Sequence, residues 1–203
     1  MTRLILASSS PYRRELLHKL GIAFDYDSPD IDESPLEHES AEDLVARLAL
    51  GKARAVADKY PDALIIGSDQ VAVLSDPQLD TPPRIITKPH THANAVQQLR
   101  DASGQQVTFL TSLCLLNTSS TEYQLEIVPY HVDFLALSEQ QIDTYLHKEK
   151  PYNCAGSFKS EGLGITLFKR MQGDDPNSLV GLPLIALVAM LRNEGLEPLS
   201  GAH

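Results

Sequence analysis

The chain has 203 residues, 42% hydrophobic and 22% charged, with a formal net charge of −10, which allows one well-buried domain or a domain of two small lobes and sets global disorder aside. The acidic balance and an aromatic content of 6% count against a nucleic-acid groove binder, and a polyphosphate ligand would need a local cluster of cations helped by a divalent metal. The two cysteines, Cys114 and Cys154, show neither disulfide nor zinc spacing, and the longest apolar stretch, Leu182 to Leu191, is too short to span a bilayer.

The apolar run at Leu4 to Ala7 is too short for a signal peptide, and a reduced cytoplasmic protein with no membrane partner is expected. In chain order, Arg3 to Ala7 reads as a buried strand. Pro11 to Leu20 reads as a helix with Ser10 as N-cap and Gly21 as its left-handed stop. A second helix runs from about Ser40 to Tyr60 and halts before Pro61. Ala63 to Ile66 and Val71 to Leu74 are β-branched segments joined through Gly67 to Gln70, and Asp76 to Arg84 is a proline-rich loop. A helix from about Thr91 to Arg100 ends near Gly104, and strands follow at Val107 to Leu116 and Tyr123 to Leu135. Ser138 and Gln141 form a capping box for a helix reaching about Lys148. Ile165 to Phe168 is strand-like, and Pro183 to Asn193 is a final helix. The alternation predicts an α/β fold, a mixed twisted sheet flanked by helices.

The first strand–loop–helix junction, Ser8 to Arg14, puts hydroxyls, open backbone N–H groups and two guanidiniums at a helix N-terminus, which suits a phosphate. Alone, it also fits an ordinary capped surface helix, and it lacks the glycines and lysine of a P-loop. Lys52 falls in line with Val45, Ala49 and Val56, inside the apolar stripe of its helix. Its ammonium either snorkels to the core edge or points into a cleft as a phosphate cation, and the two readings stand equal. Asp69 interrupts an otherwise continuous buried strand, where a carboxylate needs donors, a cation or a metal. A general base or metal ligand is favoured there over a structural Asp held by backbone N–H groups. Glu33 and Lys88 read as surface residues on their own, and Cys154 as a small hydrophobe rather than a nucleophile.

Taken in order, these segments resemble the Maf family of nucleoside triphosphate pyrophosphatases. The resemblance rests on Leu6 to Arg14, Asp32-Glu33, Lys52-Ala53, Gly67-Ser68-Asp69-Gln70, Lys88-Pro89, Ser103-Gly104, Ala155-Gly156 and Val180-Gly181-Leu182-Pro183, which together span nearly the whole chain. It implies a fold related to inosine triphosphate pyrophosphatases, one Maf-like domain over residues 1–203, built as two lobes around a central cleft, and a homodimer. It also implies hydrolysis of a nucleoside triphosphate to the monophosphate and pyrophosphate with a divalent cation, Mg²⁺, Mn²⁺ or Co²⁺. The matching positions are Ser10, Arg13 and Arg14 for the substrate, with Glu33, Lys52, Asp69 and Lys88 in the catalytic set. Asp69 is the implied proton acceptor, and Glu33 and Asp69 the implied metal ligands. Thr87, where the family commonly has Gly, and the long segment from Asp76 to Ile86 depart from the pattern and bear on the placement of Lys88. Tyr12, Gln70 and Cys154 match the specificity positions of the branch acting on 7-methyl-GTP, and an aromatic face suits a positively charged methylated guanine. The competing expectation is a nucleotide-binding regulator of septum formation that turns over little substrate.

Overall fold

The computed structural model describes residues 3–74 and 83–199. The chain divides into two compact units: one takes the residues up to Asp69, Thr111–Val128 and those from Asn177 onward, the other Gln70–Leu110 and Pro129–Pro176. The strands are β1 (Arg3–Ala7), β2 (Asp25–Asp27), β3 (Ala63–Leu74), β4 (Arg84–Ile86), β5 (Gln106–Asn117), β6 (Tyr123–Phe134) and β7 (Phe168–Gln172). Their order in one mixed sheet is β2-β1-β3-β5-β6-β7, with β4 paired to β3. The β1–β2 and β1–β3 pairs are parallel, while β3–β4 and β6–β7 are antiparallel.

In the first unit the pleat sorts side chains to two faces. Leu4, Leu6, Leu64, Ile66, Leu113 and Leu115 pack under helices α1 (Pro11–His18) and α6 (Leu184–Asn193). Their sequence neighbours Ile5, Ala7, Ala63, Ile65, Cys114 and Leu116 pack under α2 (Ala41–Ala57). Both faces are covered, which explains why these strands read as unbroken apolar runs rather than alternating ones. Each Leu or Ile buried this way contributes about 1.5–3 kcal/mol. Ser10 caps α1, and Gly21 takes φ +66° beyond a helix that already ends at His18.

The second unit carries α3 (His92–Ala102), capped by Thr91, and α4 (Glu139–Glu149), which has the expected capping box. Phe109, Phe134, Phe158 and Phe168 meet edge to face, with centroids 4.7–5.6 Å apart. A short helix, α5 (Pro176–Val180), leads to Gly181.

Three further sequence expectations change. Gly67 to Gln70 is not a connection, because β3 runs unbroken through it. Ile165 to Leu167 lie in a 3₁₀ turn spanning Leu163–Leu167, and β7 starts only at Phe168. That turn is set by Glu149, whose Oε2 accepts from the Leu163 N–H at 2.9 Å, and by Gly164, where a Cβ would collide with the Lys159 carbonyl. In the proline-rich loop, residues 76–82 lie outside the described residues, whereas Arg84–Ile86 form β4.

Candidate active site

Residues 63, 65, 67 and 69 share the face of β3 that meets α2, since alternate residues point the same way. At Gly67 a Cβ would run into the Ala49 carbonyl and crowd the Ala53 side chain, so glycine is what lets α2 lie this close. The next residue on that face is Asp69, and it meets Lys52, one turn along α2 from Ala49.

Lys52 Nζ donates to Asp69 Oδ1 at 2.6 Å and lies 2.7 Å from Glu33 Oε1. Only 8% of the Lys52 side chain and 11% of the Asp69 side chain are exposed, against 52% for Glu33. The ammonium therefore neither snorkels outward nor stands alone: it links a buried carboxylate to one at the rim. A charge this deep is tolerated because it is paired on both sides.

Arg13, on α1, adds the second cation. Burial of its guanidinium pulls the pKa below the ordinary arginine value, and the fields of Asp69 and Glu33 oppose that shift. Arginine nonetheless stays protonated at neutral pH. Its Nε donates to the Gly181 carbonyl at 2.7 Å, and Ser68 Oγ donates to the same oxygen at 2.9 Å. Gly181 holds φ +110° and a Cβ there would approach Arg13 Nε to 3.2 Å, so this acceptor is presented by a backbone that other residues rarely adopt. Ser10 Oγ accepts from the Arg13 N–H at 3.4 Å, while Ser8 Oγ accepts from the Ser10 N–H at 3.1 Å.

Glu33 owes its position to a clamp behind it. Arg47 Nε and Nη2 bind Glu39 Oε1 and Oε2 at 2.6 and 2.8 Å, and Nη2 also donates to the Ser34 carbonyl at 3.0 Å. These bonds hold the Glu39 carboxyl down to about 2, with the Leu36 N–H adding a further donor.

The structure thus brings Glu33, Lys52, Asp69 and Arg13 together. Arg14 is elsewhere engaged, its guanidinium stacked 4.3 Å above the Tyr26 ring, and Tyr12 is 39% exposed at the start of α1. Gln70 follows Asp69 on β3, half-buried and on the opposite face. Within the second unit, Lys88 is exposed between β4 and α3, in a segment held where Thr91 N–H and Asn94 Nδ2 donate to the Pro89 carbonyl at 2.7 and 2.9 Å. Cys154 is half-buried. Burial raises its thiol pKa, and Lys159 and Lys88 only partly offset this, so it is a poor nucleophile. Sequence reading gave no roles to Ser68, Gly181, Arg47 or Glu39. The first two lie in segments that carry the family resemblance, Gly67 to Gln70 and Val180 to Pro183, whereas nothing in the spacing of Glu39 and Arg47 marked a clamp.

The sequence pattern of the family described as "Maf-like protein" matches residues 3–194. A protein of Nitrosococcus oceani named 7-methyl-GTP pyrophosphatase is 58% identical over 192 residues, 95% of this chain and 93% of the relative. One of Pseudomonas aeruginosa with the same name is 57% identical, covering 97% of this chain and 99% of the relative. The solved Ham1 protein of Staphylococcus aureus aligns with 66% of this chain and 73% of its own, at 11% identity and a TM-score of 0.47.

Proposed function

The chain belongs to the Maf family, and we propose that it hydrolyses 7-methyl-GTP to 7-methyl-GMP and pyrophosphate. It is a nucleotide pyrophosphatase, and relatives at 57–58% identity carrying that name support the methylated substrate. The observation that carries the chemistry is the buried Lys52–Asp69 pair with Glu33 at its rim.

In this reading Lys52 fixes Asp69 through Oδ1, and the other oxygen, Oδ2, accepts the proton of a water directed at the α-phosphorus. Arg13 and Lys88 orient the triphosphate, joined by Arg14 once it leaves its stack on Tyr26, with Ser10 and the N-terminus of α1 adding donors. Glu33 and Asp69 supply carboxylate oxygens, the hard donors that Mg²⁺ and Mn²⁺ take, and they are the residues that would hold such an ion. A bound divalent cation would neutralise charge on the phosphate oxygens. Tyr12, Gln70 and Cys154 select the methylated base, Tyr12 by offering its ring to the cationic guanine. The protein works as a cytoplasmic homodimer, which sedimentation of the purified chain checks.

Pyrophosphate release from a panel of triphosphates including 7-methyl-GTP, with Mg²⁺, Mn²⁺ or Co²⁺, tests this. Wild type should favour 7-methyl-GTP, and Asp69→Asn should fall by about 10²–10⁴-fold while still folding. Release led by another nucleotide would keep the chemistry and overturn the substrate. Nucleotide binding without release would favour a regulator of septum formation instead.

A further inference from the structure

The second unit brings two histidines and a carboxylate together on residues the pyrophosphatase reading does not use. Asp143 and His147 are four apart on α4 and so share one face, and His92 opens α3. His92 Nε2 lies 3.7 Å from Asp143 Oδ1, and His147 Nδ1 lies 3.3 Å from the same oxygen. The two imidazole centroids are 5.1 Å apart, and one ligand atom from each of the three residues falls within 4.8 Å of the others.

Those separations are the right size for coordination. Ligands roughly 2.0–2.2 Å from an ion at the tetrahedral angle lie about 3.4 Å from one another. The measured 3.3 and 3.7 Å bracket that value; His147 Nδ1 donates to the Asp143 carbonyl at 2.9 Å, so the ring must rotate out of that bond to turn a lone pair towards the ion. His92 also has an orienting partner, as metal-bound histidines do: its Nδ1 lies 3.1 Å from the Tyr152 hydroxyl. With that hydroxyl accepting from Nδ1, the Nε2 lone pair faces Asp143. Tyr152 is itself fixed, because its carbonyl accepts from the His90 N–H at 3.0 Å.

We propose that His92, Asp143 and His147 form a second metal site, binding one Zn²⁺-class transition-metal ion through two imidazoles and a carboxylate, with water completing the shell. Imidazole nitrogen suits zinc, copper or nickel, whereas the Asp69–Glu33 pair offers only hard oxygens. An ion here would tie the first turn of α3 to α4. It would also steady the segment from Lys88 to Thr91, which runs directly into His92 and is tied to Tyr152.

Equilibrium dialysis of the chelator-treated 203-residue chain against Zn²⁺, with Mg²⁺ in excess to occupy Asp69 and Glu33, tests the site, comparing wild type, His92→Ala, His147→Ala and Asp69→Asn. One ion per chain is expected for wild type and Asp69→Asn, with at least tenfold weaker binding in either histidine variant. Zn²⁺ should also raise the thermal midpoint of wild type and leave that of His147→Ala unchanged. His147 is 66% exposed, so its loss tests the site even if His92→Ala disturbs the start of α3, and far-UV circular dichroism checks the fold of each variant. Wild-type affinity in both histidine variants, no binding by wild type, or loss of binding only in Asp69→Asn would each overturn the proposal.

Discussion

Lys52 sets the local charge, one ammonium between two carboxylates, with the Arg13 guanidinium close enough for its field to couple with both. Replacing it by alanine leaves Asp69 buried beside Glu33 without the ammonium that links them. Removing one partner of a buried pair costs about 3–5 kcal/mol, and the half-exposed Glu33 places this case at the lower end, about 3 kcal/mol. Urea denaturation of Lys52→Ala should show that loss, and kcat/KM should fall by at least tenfold. An unchanged kcat/KM would remove Lys52 from the mechanism. Tyr12→Ala should weaken 7-methyl-GTP by about 2–30-fold, the range of a cation–π contact of about 0.5–2 kcal/mol, and leave GTP less affected. A competition assay with both nucleotides reads this directly. Asp69 was legible in the sequence because a carboxylate in an apolar strand demands a partner. Which partner was not, since helical periodicity placed Lys52 in the apolar stripe without saying where its four-carbon stem would deliver the charge.

The elements that aim these side chains are β3 and α2, and the fit between them turns on Gly67. Gly67→Ala must push the Ala49 carbonyl away, and because backbone rather than a flexible side chain has to move, a loss of about 3 kcal/mol is expected. Activity should fall further than stability predicts, as Lys52 lies on the same helix. Denaturation and turnover measured on one preparation separate the two effects. The Arg47–Glu39 clamp gives a pH signature. Hydrogen bonds from Arg47 hold the Glu39 carboxyl at about 2 rather than the ordinary 4.5, so the folded state binds this proton less readily than the unfolded chain. Its contribution is present above about pH 4.5 and drains away as pH falls towards 2. Glu39→Gln should therefore melt below wild type at pH 6, and the gap should narrow by pH 3 in thermal scans. Caps and helix spans were readable locally, and Ser10, Ser40, Thr91 and Ser138 all serve as N-caps. The clamp and the 3₁₀ turn after Gly162 were not, because one depends on how the chain before α2 folds back onto that helix and the other on a side chain from α4 and on backbone packing.

For the molecule as a whole, interleaved apolar runs and helical stripes were enough to indicate a mixed α/β sheet, and the strand order bears that out. Division into two units was harder to read, since the chain crosses from one to the other inside β3, β5, β6 and α5 rather than in linkers. Asp69 and Gln70 are consecutive on one strand yet fall in different units, so no shift in composition marks the boundary. Short pieces such as β2 and β4, three residues each, exist because a longer neighbour offers them hydrogen-bonding partners. No sequence signal of their own distinguishes them from loop.

The two cysteines turn this architecture into a clock. Cys114 sits wholly enclosed in the core beneath α2, its thiol pushed up to about 12 by burial, while Cys154 stands half-open in the second unit. A thiol-reactive dye should consequently label the chain in two phases, a fast one at Cys154 and a far slower one at Cys114 that waits for the first unit to come apart. Because Gly67→Ala loosens the contact between α2 and β3, it should quicken the second phase and leave the first alone. The molecule thus carries an internal gauge of how often its first unit opens, readable without removing or adding a single residue.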